Sequence, residues 1–137
     1  MDNGTNAGPV NLAKKILVVE DEQYLRDLYV ELLKEDGYEV ASAIDGEIAY
    51  DLITKNSYDL VLLDLVMPRM PGIALLKKLS DQDHLRKQKL KIVVLTNLGQ
   101  DTVIAEAISF GVRGYIIKSD VTPDKILSEV KYYLAQP

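Results

Sequence analysis

The sequence predicts an open parallel α/β sheet with helices on both faces. Three observations carry that prediction. Ile16-Leu17-Val18-Val19, Leu60-Val61-Leu62-Leu63, Ile92-Val93-Val94-Leu95 and Tyr115-Ile116-Ile117 are short continuous apolar runs. Strands covered on both sides read this way, whereas half-exposed strands alternate. Between the runs the apolar residues recur at helical spacing. Strand and helix then alternate along the chain, as connections between parallel strands require.

The elements follow in order. Met1 to Asn11 is rich in Asn and Gly without periodicity, so residues 1–13 read as a flexible tail and 14–137 as one domain. After the first apolar run, Leu25, Leu28, Tyr29, Leu32 and Leu33 fall on one helical face, and Gly37 follows where a helix end favours a left-handed residue. Glu39 to Ala43 alternates and suits an edge strand. Asp45 can cap a second helix carrying Ile48, Ala49, Leu52 and Ile53. Leu75, Leu76 and Leu79 mark a third helix. Asp101 can start a fourth with Val103, Ile104, Ala107 and Ile108. Thr122-Pro123, a capping hydroxyl before a proline, opens the fifth, which carries Ile126, Leu127, Val130 and Leu134.

Composition narrows the function. Of 137 residues, 16 are Lys or Arg and 21 are Asp or Glu, a net charge of −5. Such a field repels nucleic acid and anionic membrane surfaces, so neither is expected as a direct partner. With no cysteine, disulfides, thiolate metal sites and cysteine nucleophiles are excluded. No apolar run approaches membrane-spanning length and no signal peptide opens the chain, so a cytoplasmic location is expected.

What ends each strand carries more information. The first run stops at Glu20-Asp21, the third at Asp64, the fourth at Thr96 and the fifth at Lys118. Open parallel sheets bind ligands beyond the carboxyl ends of their strands, where the strand order reverses. With order 2-1-3-4-5 the first and third strands are neighbours there, and Glu20, Asp21 and Asp64 crowd together beside Thr96 and Lys118. Each residue alone has an ordinary reading: an Asp after a strand caps helices, a Thr suits strands, and a rim Lys is solvated. The set does not. Two carboxylates about 4 Å apart repel by ~4 kcal/mol at an effective dielectric of ~20. A cation or a shifted pKa must relieve that. Oxygen ligands alone suit Mg²⁺, which also recruits phosphate oxygens. The chemistry expected is phosphoryl transfer, with Asp64 as nucleophile, Mg²⁺ and Lys118 neutralising phosphoryl oxygens, and the Thr96 hydroxyl bonding one of them.

These residues resemble a known family. Leu63-Asp64-Leu65-Val66-Met67-Pro68-Arg69-Met70-Pro71-Gly72 is similar to the phosphoacceptor segment of bacterial response-regulator receiver domains. Glu20-Asp21, Thr96 and Phe110-Gly111-Val112-Arg113-Gly114-Tyr115-Ile116-Ile117-Lys118 fall in that family's order and spacing, and the likeness runs from Lys14 to Ala135. The resemblance implies a flavodoxin-like fold and a Mg²⁺-dependent switch. It implies that a sensor histidine kinase or phosphotransfer protein donates a phosphoryl group to Asp64. Asp21 would be a direct metal ligand, Glu20 would help, and the Val66 main-chain carbonyl would complete the set. Thr96 and Tyr115 would carry the switch to the face made by the fourth helix, fifth strand and fifth helix. That face would control a downstream effector or an output domain, and dimerisation on phosphorylation would be possible. As a regulatory domain it would catalyse only its own phosphorylation and dephosphorylation.

Four positions depart from the family pattern. Glu20 stands for the usual Asp, with a longer reach and a water-mediated metal contact expected. Ser119 replaces a proline; without it a cis bond would cost about 2.5–4 kcal/mol. Asn97 replaces a small residue and narrows access. Val66 and Leu98 are apolar and cannot orient an attacking water, so slow self-dephosphorylation is expected. The competing class is a pseudo-receiver interaction module without phosphotransfer, but the acids, acceptor and lysine it would lack are all here. A haloacid-dehalogenase-type phosphatase needs an Asp where Val66 stands, and Glu20-Asp21-Glu22 would repel a flavin phosphate. The lone His84 and the basic cluster Arg86, Lys87, Lys89 and Lys91 read as solvated surface. Tyr132-Tyr133 is expected to split between core and surface.

Overall fold

The computed structural model describes residues 13–82, 89–97 and 99–137. The expected tail, His84, Arg86, Lys87 and Leu98 lie outside the described residues, apart from Ala13 at the tail's end. The chain runs β1 (Lys15–Val19), α1 (Gln23–Glu35), β2 (Glu39–Ala43), α2 (Gly46–Lys55), β3 (Leu60–Asp64), α3 (Gly72–Asp81), β4 (Ile92–Thr96), α4 (Asp101–Ser109), β5 (Gly114–Ile117), a short 3₁₀ turn (Lys118–Asp120) and α5 (Pro123–Ala135). All strands pair in parallel, in the order β2-β1-β3-β4-β5. The flavodoxin-like arrangement expected from the sequence is the one adopted.

Strand periodicity sorts the core into two layers. Leu17, Val19, Val61, Leu63 and Val94 point to one face, against Ala49 and Ile53 of α2, Leu75, Leu76 and Leu79 of α3, and Ala107 of α4. Ile16, Val18, Leu60, Leu62, Val93 and Leu95 point to the other, against Tyr29 and Leu33 of α1 and Ile126 and Val130 of α5. Full burial on both sides explains why β3 and β4 read as unbroken apolar runs. The edge strand β2 alternates and is only partly buried.

Helix ends follow the local chemistry. Asp45 Oδ1 accepts from the Ile48 N–H at 3.0 Å, and Thr122 Oγ1 accepts from the Lys125 N–H at 3.2 Å ahead of Pro123. Gly37 takes φ +94°, which lets its N–H reach the Lys34 carbonyl and the Tyr38 N–H reach the Leu33 carbonyl, closing α1. Asp101 is the first residue of α4, as the sequence predicts, and Gln100 is the N-cap before it. One expectation needs adjusting. Ile48 and Ile108 share the predicted apolar periodicity but are 40% and 52% exposed, because each sits at the margin of its helix's buried stripe. Among the described residues no helix is long and apolar enough to cross a membrane.

Candidate functional site

The register of the central strands builds the site. Val19 of β1 lies beside Leu63 of β3, so the next residues, Glu20 and Asp64, emerge side by side at the carboxyl rim. The Glu20 N–H continues the strand by donating to the Ala43 carbonyl at 3.1 Å. Glu20 and Asp64 are buried, Asp21 is exposed, and one oxygen from each of the three carboxylates lies within 4.8 Å of the others. Lys118 leaves the end of β5 and reaches back across the rim. Its Nζ stands 2.8 Å from Glu20 Oε1 and 3.0 Å from Asp64 Oδ2. Thr96, the last residue of β4, is buried at the same rim.

The surrounding backbone holds these groups in place. The Val66 N–H donates to Asp64 Oδ1 at 3.1 Å, and the Glu22 N–H donates to Glu20 Oε2 at 3.2 Å. Arg26 donates from one guanidinium nitrogen to the carbonyls of Glu20 and Asp21, at 3.0 and 3.2 Å, and so braces the acidic turn. Gly72 allows the loop after β3 to fold back on itself: its N–H reaches the Leu65 carbonyl, and a Cβ there would lie 2.5 Å from the Asp64 carbonyl oxygen. Beyond it, Arg69 at φ +62° pairs at 2.7 Å with the buried Asp45 carboxylate, tying this loop to the start of α2. The Ile48 N–H and Arg69 together hold the Asp45 carboxyl below its ordinary value, against the effect of burial.

One ammonium does not neutralise three carboxylates. Burial first, and the Glu20 charge second, push the Asp64 carboxyl up to about 7, with Lys118 pulling the other way. Burial alone would disfavour the Lys118 ammonium, yet Glu20 and Asp64 together keep its pKa above the ordinary lysine value. Glu20 Oε1 is fully buried, and its charge partner is the Lys118 ammonium at 2.8 Å. That leaves an all-oxygen cluster with excess negative charge, a donor set that fits a hard divalent cation such as Mg²⁺.

A family model described as response regulator receiver domain matches residues 16–131. The chain belongs to the receiver domain family of response regulators. A transcriptional regulatory protein of Staphylococcus aureus, SrrA, is 32% identical over 123 residues, covering 90% of this chain and 48% of that protein. The receiver domain thus spans about half the length of the curated relatives it matches. Among solved structures, a CheY-like receiver domain from Methanospirillum hungatei superposes with TM-score 0.81 at 28% identity, covering 90% of this chain and 94% of that one. The Thermotoga maritima response regulator TrrA, solved in complex with Mg²⁺-BeF, superposes with TM-score 0.73 at 33% identity, covering 88% and 98%.

Glu20, Asp21, Asp64 and Lys118 converge as the strand ends predict. Val66 packs its N–H on Asp64 while its side chain is 53% exposed. Tyr115 lies on β5 and is half-exposed, on the same face of the sheet as Thr96, since Val94 pairs with Tyr115 and Thr96 with Ile117. There are no cis peptide bonds among the described residues, and Ser119 sits within the 3₁₀ turn. Lys91 departs from the solvated reading: its Nζ donates to the carbonyls of Leu134 and Gln136 at the end of α5, where a cation complements the helix dipole. Tyr133 packs inward while Tyr132 is 57% exposed, edge-on to it. Gln100 was not singled out by sequence. Its amide oxygen accepts from the Thr96 hydroxyl and, at 3.2 Å, from the Asn97 N–H.

Proposed function

We propose that this receiver is a phosphorylation-activated switch in which Asp64 accepts a phosphoryl group from a sensor histidine kinase or phosphotransfer protein. The observation that carries the reading is the Asp64 carboxylate held 3.0 Å from Lys118 inside a cluster with Glu20 and Asp21. An Asp64 oxygen attacks phosphorus and forms the acyl P–O bond. The P–N bond of the donor phosphohistidine breaks, and its electron pair returns to the imidazole nitrogen. The Val66 N–H fixes one Asp64 oxygen and so orients the carboxylate for attack. Lys118 sits where it can stabilise charge on the transferring group. Glu20, Asp21, Asp64 and the Val66 main-chain carbonyl would hold Mg²⁺, which supplies neutralisation of the phosphoryl oxygens.

The resulting acyl phosphate adds an anion beside Thr96. The Thr96 hydroxyl donates to it, and Tyr115 on the same sheet face changes rotamer. The α4-β5-α5 surface then takes up a second packing already accessible to the free protein. That surface controls a downstream effector, carried either by a separate protein or by an output domain of a longer chain. Incubation with acetyl phosphate and Mg²⁺, followed by intact mass, tests the reading. Wild type gains one phosphoryl group and Asp64→Asn gains none. Equal uptake by both, or uptake by neither, contradicts it.

A further inference from the structure

Gln100 precedes α4 as its N-cap, a position where Ser, Thr, Asp or Asn is preferred. Its side chain does not cap the helix. It turns back toward β4, and its Oε1 receives both the Thr96 hydroxyl and the Asn97 N–H. The orientation of the amide is not arbitrary. The Asn97 main-chain N–H can only donate, so the oxygen and not the NH₂ group must face it. The Thr96 Oγ1 meeting that same oxygen must therefore donate as well. The Asn97 carbonyl is a second acceptor in reach, but at 3.4 Å against 2.5 Å the single hydroxyl proton of Thr96 goes to Gln100.

We infer that Gln100 is a latch on the switch threonine: a positioning residue that holds Thr96 in the unphosphorylated arrangement and sets how readily the domain turns on. The inference rests on the functional reading above, in which Thr96 donates to the phosphoryl group on Asp64. A hydroxyl has one proton and cannot serve both acceptors, so activation requires that the Gln100 contact break. A bond to an anionic phosphoryl oxygen is stronger than one to a neutral amide, so phosphorylation wins the exchange. Before phosphorylation the latch lowers the population of the competent state, and the apparent affinity for any phosphoryl group falls by the same factor. The buried position of Thr96 keeps water from competing with Gln100 for the hydroxyl.

The test is the affinity of the protein for beryllofluoride in saturating Mg²⁺, measured for wild type, Gln100→Ala and Gln100→Met, each with and without Thr96→Ala. Methionine keeps the side-chain length and removes the acceptor. Both Gln100 variants should bind about five-fold more tightly than wild type, the equilibrium worth of one ordinary hydrogen bond. On the Thr96→Ala background the gain should vanish, because the latch then has no hydroxyl to hold. A merely structural effect on the start of α4 would persist on that background. Unchanged or weaker binding in the single variants, or a gain that survives Thr96→Ala, overturns the latch while leaving the phosphoacceptor reading intact. A folded wild type that does not bind beryllofluoride overturns the phosphoacceptor reading, and the latch with it.

Discussion

Replacing Asp64 by Asn should stabilise the metal-free protein at neutral pH, although it removes an ion pair. Burial and the Glu20 charge hold the folded-state carboxyl at about 7, against an ordinary value of 3.8. Between those two values the folded protein keeps a proton that the unfolded chain has released. Stability is therefore fully present below the unfolded pKa and falls as pH rises toward 7. At ~1.4 kcal/mol per unit, a shift of about three units sets a ceiling of ~4 kcal/mol. Asn keeps an acceptor for the Val66 N–H but loses the attraction of Asp64 Oδ2 for Lys118 at 3.0 Å. Lys118 already lowers the Asp64 value, so that loss is contained in the ceiling; residual hydration and relaxation of the site reduce the ceiling by about half. Lys118 retains Glu20 at 2.8 Å. The net expectation is ~2 kcal/mol of stabilisation at pH 7.5 in EDTA. For a domain of this size that is a rise of roughly 6–10 °C in melting temperature. Urea unfolding across pH 4 to 8 is the assay. Wild type should lose stability toward neutrality from this group, and Asp64→Asn should show a flatter profile. A destabilised Asn variant at pH 7.5, or parallel profiles, would refute the electrostatic argument.

Three further outcomes follow from the same geometry. Mg²⁺ should raise the wild-type melting temperature, by an amount equivalent to ~2.7 kcal/mol at a hundred times its dissociation constant, and should do much less for Asp64→Asn; a melt indifferent to Mg²⁺ counts against the acidic cluster as a metal site. Gly72→Ala should destabilise by roughly 1–3 kcal/mol and weaken Mg²⁺ binding, because the new Cβ would lie 2.5 Å from the Asp64 carbonyl oxygen; unfolding and metal titration check both, and a neutral variant would show that this loop yields freely. Once phosphorylated, the domain should keep its phosphoryl group for minutes or longer without a phosphatase, since the exposed Val66 side chain cannot orient water; intact mass over time checks this, and loss within seconds is the contrary result.

Much of this architecture is legible in sequence because it is written in local chemistry. Apolar runs identify β1, β3 and β4, capping residues mark α2 and α5, and Gly37 marks the end of α1. Residues that terminate strands converge because parallel strands share a carboxyl rim, so Glu20, Asp64, Thr96 and Lys118 follow once the strand order is known. What sequence did not reveal depends on side chains meeting across loops. Arg26 is five residues beyond Asp21 and reads as an ordinary polar helix position until its guanidinium is seen on two carbonyls. Asp45 is recognisable as a cap, but its pairing with Arg69 depends on a left-handed residue in the loop after β3. Gln100 carries one faint signal, a poor capping residue at a helix start. Ile48 and Ile108 show the converse limit: periodicity marks an apolar stripe but not how far the neighbouring layer extends over it.

The most direct measurement is the identity of the phosphorylated residue. Borohydride reduces an acyl phosphate to the corresponding alcohol, so treatment of the acetyl-phosphate-labelled protein followed by peptide mapping reads the site. The account predicts homoserine at position 64 and nowhere else. Label at Glu20 or Asp21, or on a hydroxyl residue that borohydride leaves untouched, would contradict it.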